Sequence, residues 1–218
     1  MEHLDLDVYR TAARTLIKSL TSEIGSAYTT DCPLYGQRGV PVKYFLWVKT
    51  ADCEACQQSF DLFPGYLMAD DSRHPKHVFV CHRCGELNEV VDRNRLGKCR
   101  CCRTALKERG PARRNNCSCP HCGHGNSYPR AGLGPPKHRM FAIEYHNAFR
   151  RNEHRGRFFK RPDAVDLARY HATVDKWTAL VPQFVPDQEI VKGDETDRLH
   201  RWGYRRYREM FNEPNSSD

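Results

Sequence analysis

Four pairs of cysteines, each separated by two residues, constrain this chain more than any other feature of its sequence. They are Cys53/Cys56, Cys81/Cys84, Cys99/Cys102 and Cys119/Cys122. Two intervening residues let the backbone fold over so that both sulfurs reach one metal ion, and two such pairs complete a tetrahedron. The acidic start MEHLDLDVYR has no apolar signal-peptide stretch, so we expect a cytoplasmic protein. Thiols stay reduced in that compartment, and the pairs therefore indicate metal ligands rather than disulfides.

The two inner pairs have the spacing of a zinc ribbon. Cys84 and Cys99 are separated by 14 residues, and the strand-like HVFV leads into CHRCG, where Gly85 suits a tight turn. We therefore predict one zinc ion held by Cys81, Cys84, Cys99 and Cys102. A second zinc ion is then held by the outer pairs, Cys53, Cys56, Cys119 and Cys122. Sequential pairing, first with second and third with fourth, competes with this nested pairing because its gaps of 24 and 16 residues can also close.

All-cysteine sites indicate a structural role, because a catalytic zinc site keeps one coordination position open. A thioredoxin-type redox role is disfavoured, since the pairs lie at ribbon spacing without a βαβ context. The remaining cysteines, Cys32, Cys101 and Cys117, are not needed as ligands.

The composition agrees with a fold that metal ions stabilise. Of the 218 residues, 39% are hydrophobic and the mean hydropathy is −0.77, which is low for a chain that builds one large core. The 11 cysteines are expected to supplement that core through metal binding, while 11% aromatic residues exclude a disordered chain. No apolar run approaches the roughly 20 residues that cross a bilayer, so no membrane association is expected.

Hydrophobic periodicity predicts an α+β protein in which small zinc-ribbon β elements with rubredoxin-like knuckles are flanked by helices. Apolar residues at three- and four-residue steps predict a helix over 5–28, and VKYFLWV (42–48) and MFAIEY (140–145) predict strands. A further strand is expected at RGRFF (155–159), a helix with Asp163 as its N-cap follows, and a last helix begins near Thr196. The predicted segments are an N-terminal amphipathic helix (1–30), a zinc-ribbon region with two sites (31–127), a basic β segment and connector (128–161) and a C-terminal helical segment with a basic helix (162–218).

Positive charge is concentrated in the middle of the chain. The formal net charge is +8, but the stretch from Arg93 to Arg161 has 18 Lys or Arg against three acids, a balance of +15. Two zinc ions bound by eight thiolates would lower the net charge of the whole chain to about +4, and this stretch would remain strongly positive. Such a field concentrates polyanions, nucleic acid first. The alternative is an ordinary solvated basic surface.

Three groups of cations are candidates for binding nucleic acid. The last predicted helix places four arginines within an arc of about 80°, and guanidinium forks suit phosphate contacts. Pairing of these arginines with acids of a neighbouring domain is the alternative. The other two groups lie between the third and fourth knuckles and around Phe158 and Phe159, which are more often core residues than base-stacking platforms. The candidate residues are Arg198, Arg201, Arg205 and Arg208; Arg100, Arg103, Arg113 and Arg114; and Arg157, Lys160 and Arg161.

Six segments together resemble one known family. DCPLYGQRG, WVKTADCEAC, LFPGYLMA, MFAIEY, GRFFKRPDAVDLARY and GDETDRLHRWGYRRYREMFN are similar to the zinc-ribbon-containing section of large prokaryotic adenine-specific DNA methylases. The resemblance covers nearly all of this chain but only a middle portion of the family. It implies a zinc-bearing accessory region beside an S-adenosylmethionine-dependent DNA methylase, associated with restriction or phage defence.

The catalytic motifs of that family have no counterpart here. Amino-methylases carry an Asp/Asn-Pro-Pro-aromatic tetrad, whereas the one Pro-Pro pair of this chain lies in Gly134–Lys137 without the acid, amide or aromatic residue. Only the knuckle cysteines carry over, and the isolated chain is not expected to bind S-adenosylmethionine. We therefore predict a fragment or derivative of such a methylase that binds DNA and positions it for a methylase or other defence-system subunit in trans. The alternatives are a protein-interaction module that docks such a subunit and an intact enzyme with unrecognised catalytic groups.

Overall fold

The computed structural model describes residues 5–72, 74–130, 132–179 and 186–211, which form a mixed α+β fold. The helices are α1 (Leu6–Ile24), α2 (Ala164–Ala179) and α3 (Asp197–Arg201), and short 3-10 turns cover Gly25–Tyr28, Ala148–Arg150, Glu153–Gly156 and Tyr207–Met210. The strands are β1 (Thr29–Cys32), β2 (Gln37–Asp52), β3 (Ser59–Asp61), β4 (Leu67–Ala69), β5 (His77–Val80), β6 (Leu87–Val90), β7 (Asn116–Ser118), β8 (Gly125–Ser127), β9 (His138–Tyr145) and β10 (Phe158–Lys160). The predicted α+β class is confirmed.

The predicted N-terminal helix is present, but it is not packed on a core. Asp5 caps α1 by accepting hydrogen bonds from the backbone N–H groups of Asp7 and Val8, as a helix N-cap acid does. None of the residues of α1 is buried, and the apolar side chains of Leu16 and Ile17 are 60% and 62% exposed. The amphipathic pattern that predicts the helix therefore faces solvent in the isolated chain.

A large antiparallel sheet is built around the long strand β2. Its order is β1-β2-β9-β10, and β3 pairs with the far end of β2. The predicted strands 42–48 and 140–145 are the paired parts of β2 and β9, so both are confirmed. The strand expected at 155–159 begins later, at Phe158, because a 3-10 turn occupies Glu153–Gly156 with His154 and Arg155 at positive φ.

Hairpins hold the cysteine knuckles. The end of β2 leads into Cys53 and β3 follows Cys56, while β5 leads into Cys81 and β6 follows that knuckle. The strands β7 and β8 bracket the knuckle at Cys119 in the same way. Three of the four CxxC turns are thus the closed ends of antiparallel ladders, whose register fixes where the sulfurs point.

Among the described residues the hydrophobic core consists of three clusters, and two of them include cysteines of the CxxC pairs. One cluster packs Phe79 and its neighbours from β4–β6 against Cys81 and Cys99, and a smaller one packs Phe60 and Leu62 against Cys53 and Cys119. The knuckle cysteines are therefore part of the small apolar clusters. This is expected for a chain whose low apolar fraction gives it only small cores.

The helix α2 is fixed to the sheet by a buried ionic network. Asp163 caps it, as predicted, by accepting hydrogen bonds from the N–H groups of Val165 and Asp166, both at 3.0 Å. The Lys160 ammonium on β10 lies 2.9 Å from the Asp166 carboxylate, which also accepts a 2.6 Å hydrogen bond from the Thr30 hydroxyl on β1. One carboxylate therefore links β1, β10 and α2.

The last helix is shorter than the sequence predicts. It ends at Arg201, and the chain turns at Gly203, where φ is +87° and an added Cβ would lie 2.5 Å from the Leu133 carbonyl oxygen. Beyond this turn Arg206 pairs with Glu189 as an isolated β-bridge. The prediction that Arg198, Arg201, Arg205 and Arg208 share one helical face is therefore wrong, because the last two lie beyond the end of α3.

Candidate metal centres

The inner tetrad, comprising Cys81, Cys84, Cys99 and Cys102, has the geometry of a four-sulfur metal site. Its sulfurs approach across the two knuckles at 3.6 Å for Cys81 and Cys102 and 3.6 Å for Cys84 and Cys99. A regular tetrahedron with metal–sulfur bonds of 2.3 Å has edges of about 3.8 Å, so the sulfurs surround a space that fits zinc. Disulfide-bonded sulfurs would lie about 2 Å apart, and these cysteines are free.

The outer tetrad, comprising Cys53, Cys56, Cys119 and Cys122, repeats this geometry. Cys53 and Cys122 have their sulfurs 3.6 Å apart, and those of Cys56 and Cys119 are 3.7 Å apart. The first CxxC pair therefore joins the fourth, and the second joins the third. This confirms the nested pairing and shows that the sequential alternative is wrong.

Hydrogen-bond donors favour the thiolate form of two of these cysteines. The backbone N–H of Cys56, followed by other donors, lowers the pKa of Cys53 to about 6, and the Thr104 hydroxyl does the same for Cys102. In contrast, burial raises the pKa of Cys84, next to thiols of the same tetrad. Several thiolates cannot coexist at these distances without a cation between them, so the tetrads have the charge requirement of a divalent metal site.

The cysteines outside the two tetrads have other surroundings. Cys32 is buried with its sulfur 3.3 Å from the Tyr145 hydroxyl, and Cys117 is buried beside the outer tetrad. Cys101 is exposed within the third knuckle. His121, next to Cys119, points its Nε2 to the Ser59 carbonyl oxygen at 3.3 Å, outside the tetrad.

A third group of potential ligands was not expected from the sequence. His74, Glu89 and His154 place one ligand atom each within 4.8 Å of one another. No short spacing connects these residues along the chain, so only the fold reveals that they lie together.

The cations predicted to bind nucleic acid fall into two classes. Several are held by protein groups: Arg100 pairs with Glu86, Arg157 with the buried Glu144, and Lys160 with Asp163 and Asp166. Arg113 donates to the carbonyl oxygens of Gly110 and Ala112, Arg205 is bonded to His200, and Arg208 pairs with Asp187. The remaining candidates, Arg103, Arg114, Arg161, Arg198 and Arg201, are exposed and have no carboxylate partner among the described residues.

A cleft of about 850 Å³ separates the knuckle of Cys81 and Cys84 from that of Cys119 and Cys122. Its cations are Arg83, Arg139 and Arg161, and its one carboxylate, Asp61, is paired with Arg139. Phe63, Tyr66, His82 and His121 add aromatic surface to its lining. The cleft therefore retains two guanidinium groups, Arg83 and Arg161, for which the described residues supply no carboxylate.

Within the described ranges, none of the helices combines the length and the apolar character that crossing a bilayer requires. Comparison with known proteins finds no match to a family model, to a curated protein or to a solved structure.

Proposed function

We propose that this protein is a zinc-stapled nucleic-acid-binding module whose two tetrads hold zinc and whose cleft between the knuckles receives a phosphate backbone. The observation that carries the proposal is the pair of arginines without a carboxylate partner, Arg83 and Arg161, at the cleft between two cysteine knuckles. Guanidinium forks bind phosphate oxygens in a bidentate manner, and the knuckle that contains Arg83 would hold its backbone in place before the ligand arrives.

Local charge supports a polyanionic ligand. The ribbon from Cys81 to Arg114 contains ten Lys or Arg and four acids, and four thiolates with one zinc ion reduce this balance from +6 to about +4. Arg83 precedes Cys84 directly and lies in the knuckle itself, so its main chain is held by the metal. A positive surface of this kind attracts nucleic acid from a distance, and the cleft supplies the short-range contacts.

The resemblance of the sequence to the zinc-ribbon section of adenine-specific DNA methylases suggests the ligand and the setting. In this proposal the protein binds DNA in the cytoplasm and holds it for a methylase subunit supplied in trans. The chain contributes no methyl-transfer chemistry of its own, and S-adenosylmethionine binds to the partner.

Replacing Arg83 by alanine is expected to weaken DNA binding about tenfold, because one charge-assisted contact to phosphate is lost. The slope of the logarithm of the binding constant against the logarithm of salt concentration should become less negative by about 0.9, the value for one phosphate contact. An R83A/R161A double variant should change the slope by about 1.8. Fluorescence anisotropy with a short duplex at several salt concentrations measures both quantities.

Arg14→Ala is the matched control, since it removes the same charge from an exposed position on α1, outside the cleft. Binding by this variant should stay close to that of the wild-type protein. Equal losses for R14A and R83A would mean that only net charge matters, and a salt-independent wild-type affinity would remove phosphate contacts altogether. Either result contradicts the cleft as the binding site.

A protein-interaction module is the second candidate, and the exposed apolar face of α1 favours it. Leu16, Ile17 and Leu20 are exposed on a helix that has no buried residue. Exposed apolar side chains on one helix face are typical of a surface that packs against a partner protein. In this candidate function the occupant of that face is the methylase subunit, whose apolar surface covers α1.

Replacing Leu16 and Ile17 by glutamate tests the second candidate. The double variant should lose co-purification with a coexpressed adenine methylase subunit, because two charges then oppose burial of the helix face. Its thermal midpoint should remain unchanged, since both side chains are already exposed. Retained co-purification would show that α1 is not the docking surface, and a concentration-dependent dimer in sedimentation would assign the face to a second copy.

A further inference from the structure

We propose that His74, Glu89 and His154 form a third metal site, different in chemistry from the two sulfur tetrads and open on one side. It would bind a borderline divalent ion of the zinc type through two imidazole nitrogens and one carboxylate oxygen. The inference goes beyond the proposed function, since it requires neither nucleic acid nor a methylase.

The distances between donor atoms fit a shared ion. Glu89 Oε1 lies 3.2 Å from Nε2 of His154 and 3.7 Å from Nε2 of His74. Metal–ligand bonds of 2.0–2.1 Å in a tetrahedral site give edges of about 3.3 Å, so small side-chain movements would place all three atoms on one ion. Two histidines and one carboxylate are the donor set of many zinc and iron sites.

The histidine His74 is oriented by a backbone group, as metal-ligating histidines are. It is 1% exposed, and its Nδ1 lies 2.8 Å from the Lys76 carbonyl oxygen. The Lys76 N–H also lies 3.3 Å from this nitrogen, but the carbonyl contact is the shorter one. In the tautomer in which Nδ1 donates to the carbonyl oxygen, Nε2 on the side of Glu89 is free to bind a metal.

The other two groups are also held in place. The second oxygen of Glu89 accepts from the Lys76 ammonium at 3.1 Å, which leaves Oε1 directed to the histidines. His154 lies in the left-handed region, with φ at +50°, and its ring packs 4.8 Å from that of Phe158. A non-glycine residue in this conformation is strained, and such strain concentrates at functional sites.

A cavity of about 290 Å³ opens beside these ligands. His74, Glu89 and His154 line it together with Arg100, Lys160 and Arg161. Three protein ligands leave at least one coordination position for water or another ligand, and the cavity is where that position can face. Glu86 and Asp163, which pair with Arg100 and Lys160, line the cavity too. Arg161 has no carboxylate partner among the described residues and lines both this cavity and the cleft between the knuckles, so an anion bound to the metal would lie near this guanidinium.

Metal stoichiometry of the full chain tests the third site. Protein first loaded with two equivalents of zinc should bind one further equivalent in calorimetric titration with Zn²⁺. Glu89→Gln keeps the shape of the side chain but removes the anionic oxygen, and His154→Gly removes one imidazole where a φ of +50° favours glycine. Each variant should weaken binding of the third equivalent by about 100-fold or more, while His171→Ala, an exposed histidine on α2, should leave it unchanged.

Cadmium NMR provides a second measurement that does not depend on affinity. Sulfur-coordinated and nitrogen/oxygen-coordinated cadmium resonate in separate regions, so the wild-type protein should give signals in both, and Glu89→Gln only the sulfur signals. Saturation of the wild-type protein at two equivalents, or a third equivalent retained in both variants, would overturn the proposal. These outcomes leave the tetrads and DNA binding untouched, so failure here is distinct from failure of the proposed function.

Discussion

Replacing Cys84 by serine is expected to lower the zinc content from the two proposed ions to one and to unfold the three-stranded sheet of β4, β5 and β6. The sulfur of Cys84 packs against the cluster of Phe79, Val80 and Leu87, so the metal site and this core form one unit. Structural zinc contributes about 10–16 kcal/mol to folding of small domains, comparable to the whole stability of a typical protein. A loss of several kcal/mol should lower the thermal midpoint by on the order of 10 °C.

Cys101→Ser is the matched control for this experiment. Cys101 lies in the other knuckle of the same tetrad, one residue before Cys102, but it is exposed and is not one of the four clustered cysteines. Metal content and thermal denaturation of this variant should both equal those of the wild-type protein. A Cys84→Ser protein that retains two tightly bound zinc ions and an unchanged midpoint would contradict the assignment of the inner tetrad as a structural site.

Replacing Asp166 by alanine is expected to destabilise the protein by about 3 kcal/mol, because the buried Lys160 ammonium then keeps only the half-exposed Asp163 as a carboxylate partner. The Asp166 side chain is 2% exposed and the Lys160 side chain 6% exposed, so water cannot replace the lost carboxylate. The Thr30 hydroxyl loses its acceptor at the same time. Chemical denaturation should show the loss as a lower midpoint.

Asp175→Ala serves as the control for Asp166, because Asp175 is an exposed acid on the same helix. Its effect should stay within about 0.5 kcal/mol, as for other surface substitutions. If both variants were equally stable, the link from α2 through Asp166 to β1 and β10 would not stabilise the fold.

Features with local signatures could be predicted from the sequence. The tetrads follow from CxxC spacing, and the cap of α2 follows from an acid directly after Pro162. The sequence also favours the nested pairing of the knuckles over the sequential one, because the spacing of the inner pairs is typical of a zinc ribbon. The cap and each CxxC turn depend on contacts within a few residues along the chain, and the inner knuckles are joined across only 15 positions.

Features set by distant contacts could not be predicted. The last helix ends where Gly203 meets the backbone of Leu133 and Gly134, about 70 residues earlier in the chain. Likewise, His154 meets Glu89 across a separation of 65 residues. Counting charges along the sequence cannot show such contacts either. It makes Lys160 a candidate surface cation, whereas in the fold Lys160 forms ion pairs with Asp163 and Asp166. Helical periodicity and charge density carry no information about such partners.

Nesting of the tetrads imposes an order on the maturation of the protein. The shortest loop closed by the inner tetrad joins Cys84 and Cys99 across 15 positions, whereas Cys56 and Cys119 of the outer one are 63 positions apart. Closing the longer loop in an unfolded chain costs about 1.3 kcal/mol more. During synthesis the inner tetrad is also complete first, because Cys102 leaves the ribosome before Cys119, although Cys53 and Cys56 precede both inner pairs. If both tetrads take up zinc as proposed, the inner ion is captured first, and the folded inner knuckles then bring the outer knuckles together.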